Sequence, residues 1–149
     1  MAPFRPARLA IGPGGVLYGT SASGGDFSSG TIFQLAPPPS PGSPWTETVL
    51  YSFTGGRDGD EPSDSVLADT QGRLLGSALH GGTHTGGVVF ALLPPATEGA
   101  PWKEVVLHSF RGADGFIPHS RLAFSPGAIY GATQEGGALR RGNVFVLNP

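Results

Sequence analysis

The sequence has no cysteine, so it can form neither a disulfide nor a cysteine-bound metal centre. Charged residues make up only 13% of its 149 residues, the formal net charge is -2, and no basic cluster is present to bind a phosphate backbone. The longest apolar run, Val88–Leu93, is far shorter than the ~20 residues that span a bilayer. We therefore expect a protein that binds no nucleic acid and does not span a membrane.

The first fifteen residues, MAPFRPARLAIGPGG, lack the sustained apolar core of a secretory signal. Two arginines and two early prolines interrupt them. We expect no signal peptide in this chain. The absence of cysteine is compatible with oxidising and reducing compartments alike.

Glycine and proline are abundant instead, with 25 and 15 residues, and they recur in a fixed order. Three segments align with one another: LYGTSASGGDFSSGTIFQL (17–35), LLGSALHGGTHTGGVVFAL (74–92) and IYGATQEGGALRRGNVFVL (129–147). A second phrase, ETVLYSFTGGRDG (47–59), returns as EVVLHSFRGADG (104–115). Internal similarity at such a period indicates a stacked or radial repeat architecture.

Each repeat predicts four short strands, a to d. The longest segments free of glycine and proline, 45–54 and 102–111, leave little room for helices. Strand a is RLAI, SVLAD or SRLAF, strand b is VLYGT, LLGSA or IYGAT, and strand c is TIFQLA, VVFALL or NVFVLN. Strand d, TETVLYSF or KEVVLHSF, alternates apolar and polar residues until Leu50, as expected if both faces are partly covered.

These features predict an all-β fold of propeller-like blades, each with four antiparallel strands. Three repeats per chain would form half of a six-bladed ring. The chain, 1–149, is predicted to be one repeat domain with units 4–61, 62–117 and 118–149, the last lacking its final strand. A β-sandwich or an open β-array is the alternative.

The repeat pattern LYGT…GG…GTIF.L…W.ETVLYSFTGG.DG..P covers nearly the whole chain. It resembles the GloVer tandem repeat of bacterial choice-of-anchor proteins. The resemblance implies an extracellular or surface-displayed repeat protein with no established catalytic chemistry. This chain departs from the pattern at Leu75, Gly76 and Ser77, where the repeat has Tyr-Gly-Thr, and in its small number of copies.

Three blades are too few to close a ring, since propellers use about four to eight. The first and last blades would have uncovered edges and faces. Two copies related by a twofold axis would supply six blades, so we expect a homodimer. A trimer, or a fragment of a longer protein, is the alternative.

The loops between strands d and a and between strands b and c are predicted to share one face of the blades. Their repeated glycines indicate a fixed backbone on which variable residues could bind a ligand. The candidate ligand-binding residues are Asp26, Asp58, Asp114, Phe116 and Glu135. For Asp58 and Asp114 the alternative is an Asp-Gly turn, in which the carboxylate accepts backbone N–H bonds.

A metal ion is the only cofactor that the sequence suggests. His80 and His84 lie in one b-to-c loop and His119 in the adjacent d-to-a loop, so their imidazoles could converge on zinc or copper. The other repeats have no histidine at these positions, which fits a site built on one blade and also fits drift in surface loops.

The favoured function is a non-catalytic binding or scaffold module, a self-assembling propeller whose glycine-rich loop face binds a small molecule or glycan. No G-x-S-x-G, HExxH or P-loop motif is present. The alternatives are a metal-dependent or carboxylate-based enzyme with its site on the same face, and a purely structural surface repeat.

Overall fold

The computed structural model of the protein describes residues 8–148. The first seven residues and the last residue of the predicted domain lie outside this range. The described residues form one 3-10 turn, Pro13–Gly15, and no helix with the length and apolar character to cross a membrane. They form twelve strands: β1 Ala10–Ile11, β2 Leu17–Ser21, β3 Thr31–Ala36, β4 Thr46–Ser52, β5 Asp60–Ala68, β6 Leu74–His80, β7 Val88–Leu93, β8 Lys103–Ser109, β9 Phe116–Pro118, β10 Ala123–Ser125, β11 Ala128–Glu135 and β12 Asn143–Leu147.

The strands form three separate four-stranded sheets in which every pair is antiparallel. We name them blade 1 (β1-β2-β3-β4), blade 2 (β5-β6-β7-β8) and blade 3 (β10-β11-β12, with β9 also pairing with β11). The sheets are open and do not close a ring. The predicted all-β, propeller-like fold is therefore confirmed as a partial propeller.

In blades 2 and 3, strand a takes in part of the predicted d-to-a loop, whereas in blade 1 only Ala10–Ile11 of the predicted RLAI form a strand. In blade 2, β5 begins at Asp60, not Ser65, and its register against β6 shifts between Ser63 and Leu67. In blade 3 the same path is divided into β9 and β10. The prediction began the strand too late because Pro62 and its neighbours are typical of a loop, but proline is tolerated in β5 because this strand lies at a sheet edge.

A β-bulge interrupts the alternation of strand d. Tyr51 pairs with Ile32 and Val49 with Phe33, so Leu50 is the extra residue. Blade 2 repeats the bulge at Leu107. The bulge gives a geometric reason for the broken pattern, because it turns Leu50 toward the core cluster that it packs against.

The repeated glycine of strand b and the repeated phenylalanine of strand c are cross-strand partners. Gly76 pairs with Phe90, and a Cβ at Gly76 would lie 2.5 Å from the Cζ atom of that ring. The same relation holds for Gly19 with Phe33, at 2.5 Å, and for Gly131 with Phe145, at 2.3 Å. The glycine therefore recurs because the aromatic ring lies over its backbone.

The core lies between the blades and consists of two clusters of buried residues. The first cluster joins blades 1 and 2 and contains Ile32, Phe53, Val66, Leu74, Ala78, Val88, Phe90 and Leu92. The second joins blades 2 and 3 and contains Leu75, Val89, Ala91, Phe110, Leu122 and Ile129. Blade 2 is thus covered on both faces, whereas blades 1 and 3 each have one face without a neighbouring blade among the described residues.

Candidate functional site

The d-to-a loop of each blade contacts the b-to-c loop of the next. The backbone N–H of Gly82 donates to the carbonyl of Gly56 at 2.9 Å, and that of Gly137 donates to the carbonyl of Gly112 at 2.9 Å. The two kinds of loop therefore lie side by side along one edge of the stacked blades. We call this edge the loop face: residues 22–30, 53–59, 81–87, 110–115 and 136–142.

The three b-to-c loops share one backbone conformation and differ in their side chains. In each, the last glycine donates its N–H to the first at 3.1 Å, as Gly87 does to Gly81. A non-glycine residue with positive φ occupies the same place in each loop: Ser28 at 63°, Thr85 at 58° and Arg140 at 55°. The repeat thus presents a different side chain at one fixed position of each blade.

Asp58 lies in the loop face with its carboxylate turned to its own blade. It accepts hydrogen bonds from the Tyr51 hydroxyl at 3.0 Å, the Thr54 backbone N–H at 2.8 Å and the Thr54 hydroxyl at 2.5 Å. Burial, together with the hydrogen bond and negative charge of Asp58, raises the pKa of Tyr51 above its ordinary value. The bond from the Thr54 backbone N–H is the kind expected of an Asp-Gly turn, in which the carboxylate accepts from the backbone.

Asp114 repeats this arrangement in blade 2. Its carboxylate contacts the His108 Nε2 atom at 2.9 Å and accepts from the Arg111 backbone N–H at 2.9 Å. Burial works to raise the pKa of Asp114, but the hydrogen bonds from Arg111 and His108 outweigh it and hold that pKa below its ordinary value. Asp114 therefore stabilises its loop as an ionised carboxylate.

Phe116 and Glu135 come together in a cleft between blades 2 and 3. They are cross-strand partners on β9 and β11. The cleft has a volume of about 460 Å³, within the range of about 300–1,000 Å³ typical of ligand sites. Two arginines, Arg111 and Arg140, also line it, and the remaining lining residues are Gly112, Ala113, Gly136 and Gly137.

The two arginines were missed by sequence reasoning, which followed what the repeats have in common. Arg111 stands where the first repeat has Thr54, and Arg140 where the other repeats have serine or threonine. These departures from the repeat were the signal that could have found them. They give this junction two positive charges that the junction of blades 1 and 2 lacks at the same positions.

Asp26 lies apart from this cleft. It is exposed and lines a second, smaller depression of about 300 Å³ on blade 1, beside Val49, Tyr51 and Ser52. Of the five candidate ligand-binding residues, Asp26, Asp58 and Asp114 lie in the loop face. Phe116 and Glu135 lie at the strand ends beside it, and these two share the cleft.

The histidines do not form a metal centre in the part of the chain that the structure describes. No group of three His, Cys, Asp or Glu side chains there lies close enough to hold a metal ion. His80 Nε2 lies 3.9 Å from Glu61 Oε2, and His84 is exposed at a loop tip. His80, His84 and His119, which were predicted to converge on one ion, therefore do not form such a group in the described part of the chain.

Glu104, on β8, is a further titratable group that the sequence did not single out. Burial raises its pKa to about 7, and the negative charge of Asp58 adds to the effect. Its Oε1 atom is buried and has no hydrogen-bond partner among the described residues. The ionised form is therefore disfavoured in the folded chain.

Stability is expected to fall as pH rises from about 4.5 to about 7, because the folded chain holds a proton on Glu104 that the unfolded chain has released. Glu104→Gln should flatten the dependence in this window, measured as the urea midpoint at successive pH values. Glu47→Gln, at the equivalent exposed position of blade 1, is the control. If Glu104→Gln declines as steeply as the wild type, another group carries the dependence.

The chain was compared with known protein families, curated proteins and solved structures. No curated protein and no solved structure matches the chain. The family model described as Gloeobacter/Verrucomicrobia repeat matches residues 3–149, nearly the full length. This match agrees with the GloVer resemblance carried by the repeated glycines and phenylalanines, and the chain belongs to the Gloeobacter/Verrucomicrobia repeat family.

Proposed function

We propose that the protein is a non-catalytic binding or scaffold module that associates with itself and binds a small molecule or glycan on its loop face. The supporting observation is the cleft between blades 2 and 3, where a repeated backbone carries Arg111 and Arg140 in place of the Thr54 and Thr85 found at the junction of blades 1 and 2. Such use of variable residues on a rigid frame is the usual way in which repeat scaffolds bind ligands.

The cleft favours a ligand with a carboxylate or a similar acidic group. Arg111 and Arg140 supply two guanidinium groups, which form charge-assisted, bidentate hydrogen bonds with carboxylates. Glu135 can accept hydroxyl hydrogen bonds, and the Phe116 ring offers an apolar surface against which a sugar ring could stack. An acidic glycan, such as one containing a uronic acid, combines these features.

Arg140→Ala is expected to weaken binding of such a glycan about tenfold or more, because a hydrogen bond to a charged group contributes about 1.5–3 kcal/mol. A glycan array would identify the acidic ligand, and calorimetric titration would measure its affinity for wild type and variant. Arg121→Ala, which removes an exposed arginine outside the cleft, is the matched control. Loss of binding in both variants alike would indicate general charge attraction, and an array with no acidic glycan bound would contradict the proposal.

The second part of the proposal is that two chains complete a six-bladed ring. Blades 1 and 3 each have a face that no described residue covers, and such apolar faces are prone to association. Mass in solution tests this part independently of any ligand. A homodimer has twice the chain mass of 15.2 kDa, and a chain that stays at 15.2 kDa would contradict it.

A further inference from the structure

The face of blade 1 that points away from blade 2 exposes large apolar side chains. We call it the front face; it carries Leu9, Ile11, Trp45 and Val49. Ile11, for example, is 76% exposed. Of their counterparts one repeat later, Val66 is buried in the core cluster that joins blades 1 and 2, and Ala68, Trp102 and Val106 pack against that cluster. The repeat therefore builds this face for packing against a preceding blade.

The face of blade 3 that points away from blade 2 also exposes large apolar side chains, at the opposite end of the stacked blades from the front face. We call it the back face; it carries Tyr130, Val144 and Val146. Val144 is 80% exposed, whereas its counterpart in blade 2, Val89, is 0% exposed. Leu75, Val89 and Ala91, the three counterparts in blade 2, are all buried in the cluster that joins blades 2 and 3. This face is built for packing against a following blade.

The junction of blades 1 and 2 shows how such faces meet. Tyr18, on the back of blade 1, contacts Trp102, on the front of blade 2, edge to face at 6.3 Å between ring centroids and 66° between planes. Tyr130 is the counterpart of Tyr18 in blade 3, and Trp45 is the counterpart of Trp102 in blade 1. The chain thus exposes one partner of this aromatic contact on each terminal blade, Trp45 on blade 1 and Tyr130 on blade 3.

We propose that the back face of blade 3 docks on the front face of blade 1 of a second copy of this chain, with Tyr130 of one copy against Trp45 of the other. This inference rests on the self-association in the proposed function and adds which surfaces meet and in which direction. The contact is head to tail, so it occurs twice in a twofold pair and closes the ring. Pairing of like faces, front to front or back to back, is the arrangement that it excludes.

Single charged substitutions on the two faces test the surfaces. Trp45→Glu and Val146→Glu are each expected to lower the mass measured by light scattering from twice 15.2 kDa to 15.2 kDa at the same concentration. Leu139→Glu is the matched control, since Leu139 is 83% exposed at a loop tip outside both faces and should leave the dimer intact. Thermal unfolding by circular dichroism would show that the variants are folded, as substitution of exposed side chains predicts.

Mixing the two variants tests the direction of the contact. Trp45→Glu retains an intact back face and Val146→Glu an intact front face, so a head-to-tail contact predicts that the mixture regains one interface and a dimer mass. Front-to-front pairing predicts instead that Val146→Glu alone stays dimeric, and back-to-back pairing that Trp45→Glu alone does. Either result would contradict the head-to-tail contact but would agree with self-association. A monomeric wild type would contradict both the head-to-tail contact and self-association.

Discussion

Phe90→Ala is expected to lower the free energy of unfolding by about 3–5 kcal/mol, the usual cost of truncating a buried phenylalanine. The Phe90 side chain is fully buried in the cluster that joins blades 1 and 2, and its ring packs edge to face on Phe53 at 5.2 Å. It also lies over the backbone of Gly76, which has no side chain to fill the space. Its removal would therefore leave a cavity at the centre of the chain.

Urea unfolding followed by circular dichroism would measure this loss. In thermal unfolding it corresponds to about 2–4 °C for each kcal/mol. Phe27→Ala is the matched control, because Phe27 is exposed in a b-to-c loop and its truncation should change stability by no more than about 0.5 kcal/mol. If both variants lost the same stability, Phe90 would not be the core residue that its burial indicates.

Gly81→Ala is expected to cost about 1–3 kcal/mol more than Gly24→Ala, the range typical of forcing an atom into a packed site. The two glycines occupy the same position in successive repeats and have similar φ, +77° and +89°. An added Cβ at Gly81 would lie 2.6 Å from the carbonyl oxygen of Gly56, in the preceding blade, whereas at Gly24 it would meet nothing within 4 Å. The backbone cost of a positive φ, about 1 kcal/mol, is common to both.

Urea midpoints of the two variants would separate the inter-blade contact from the backbone requirement. A loss shared equally by Gly81→Ala and Gly24→Ala would mean that positive φ alone explains the glycine. A larger loss at Gly81 would mean that the close approach of two loops is what requires it there. The Gly82 N–H bond to Gly56 at 2.9 Å supports the second outcome.

Much of the fold was predictable because the repeat consists largely of residues with strong local preferences for strands or for turns. Short apolar segments bounded by glycine and proline indicated strands, and their order gave two four-stranded blades and a third without strand d. The fourth strand of blade 3 is β9, which pairs with β11. The extension of strand a to Asp60 was missed, since Pro62 and its neighbours have loop composition and are held in β5 by pairing with β6. Local sequence does not show a partner strand that arrives later in the chain.

The candidate site was predicted only in part. Reasoning from the repeats located the loop face and included Phe116 and Glu135, which share a cleft. It missed Arg111 and Arg140, because nothing in the local sequence distinguishes either from other surface arginines. Only the packing of two loops puts both in the lining of one cleft. It likewise missed Glu104, whose counterpart Glu47 is exposed, because its burial depends on the blade in front of it.

The sequence by itself determined the period, the strand order and the glycines that the backbone needs, since these follow from local preferences repeated three times. Only the tertiary structure decided which face of each blade is covered. The same repeat position is buried as Val89 in blade 2 and exposed as Val144 in blade 3. The difference arises because burial depends on a neighbouring blade and not on the residue itself.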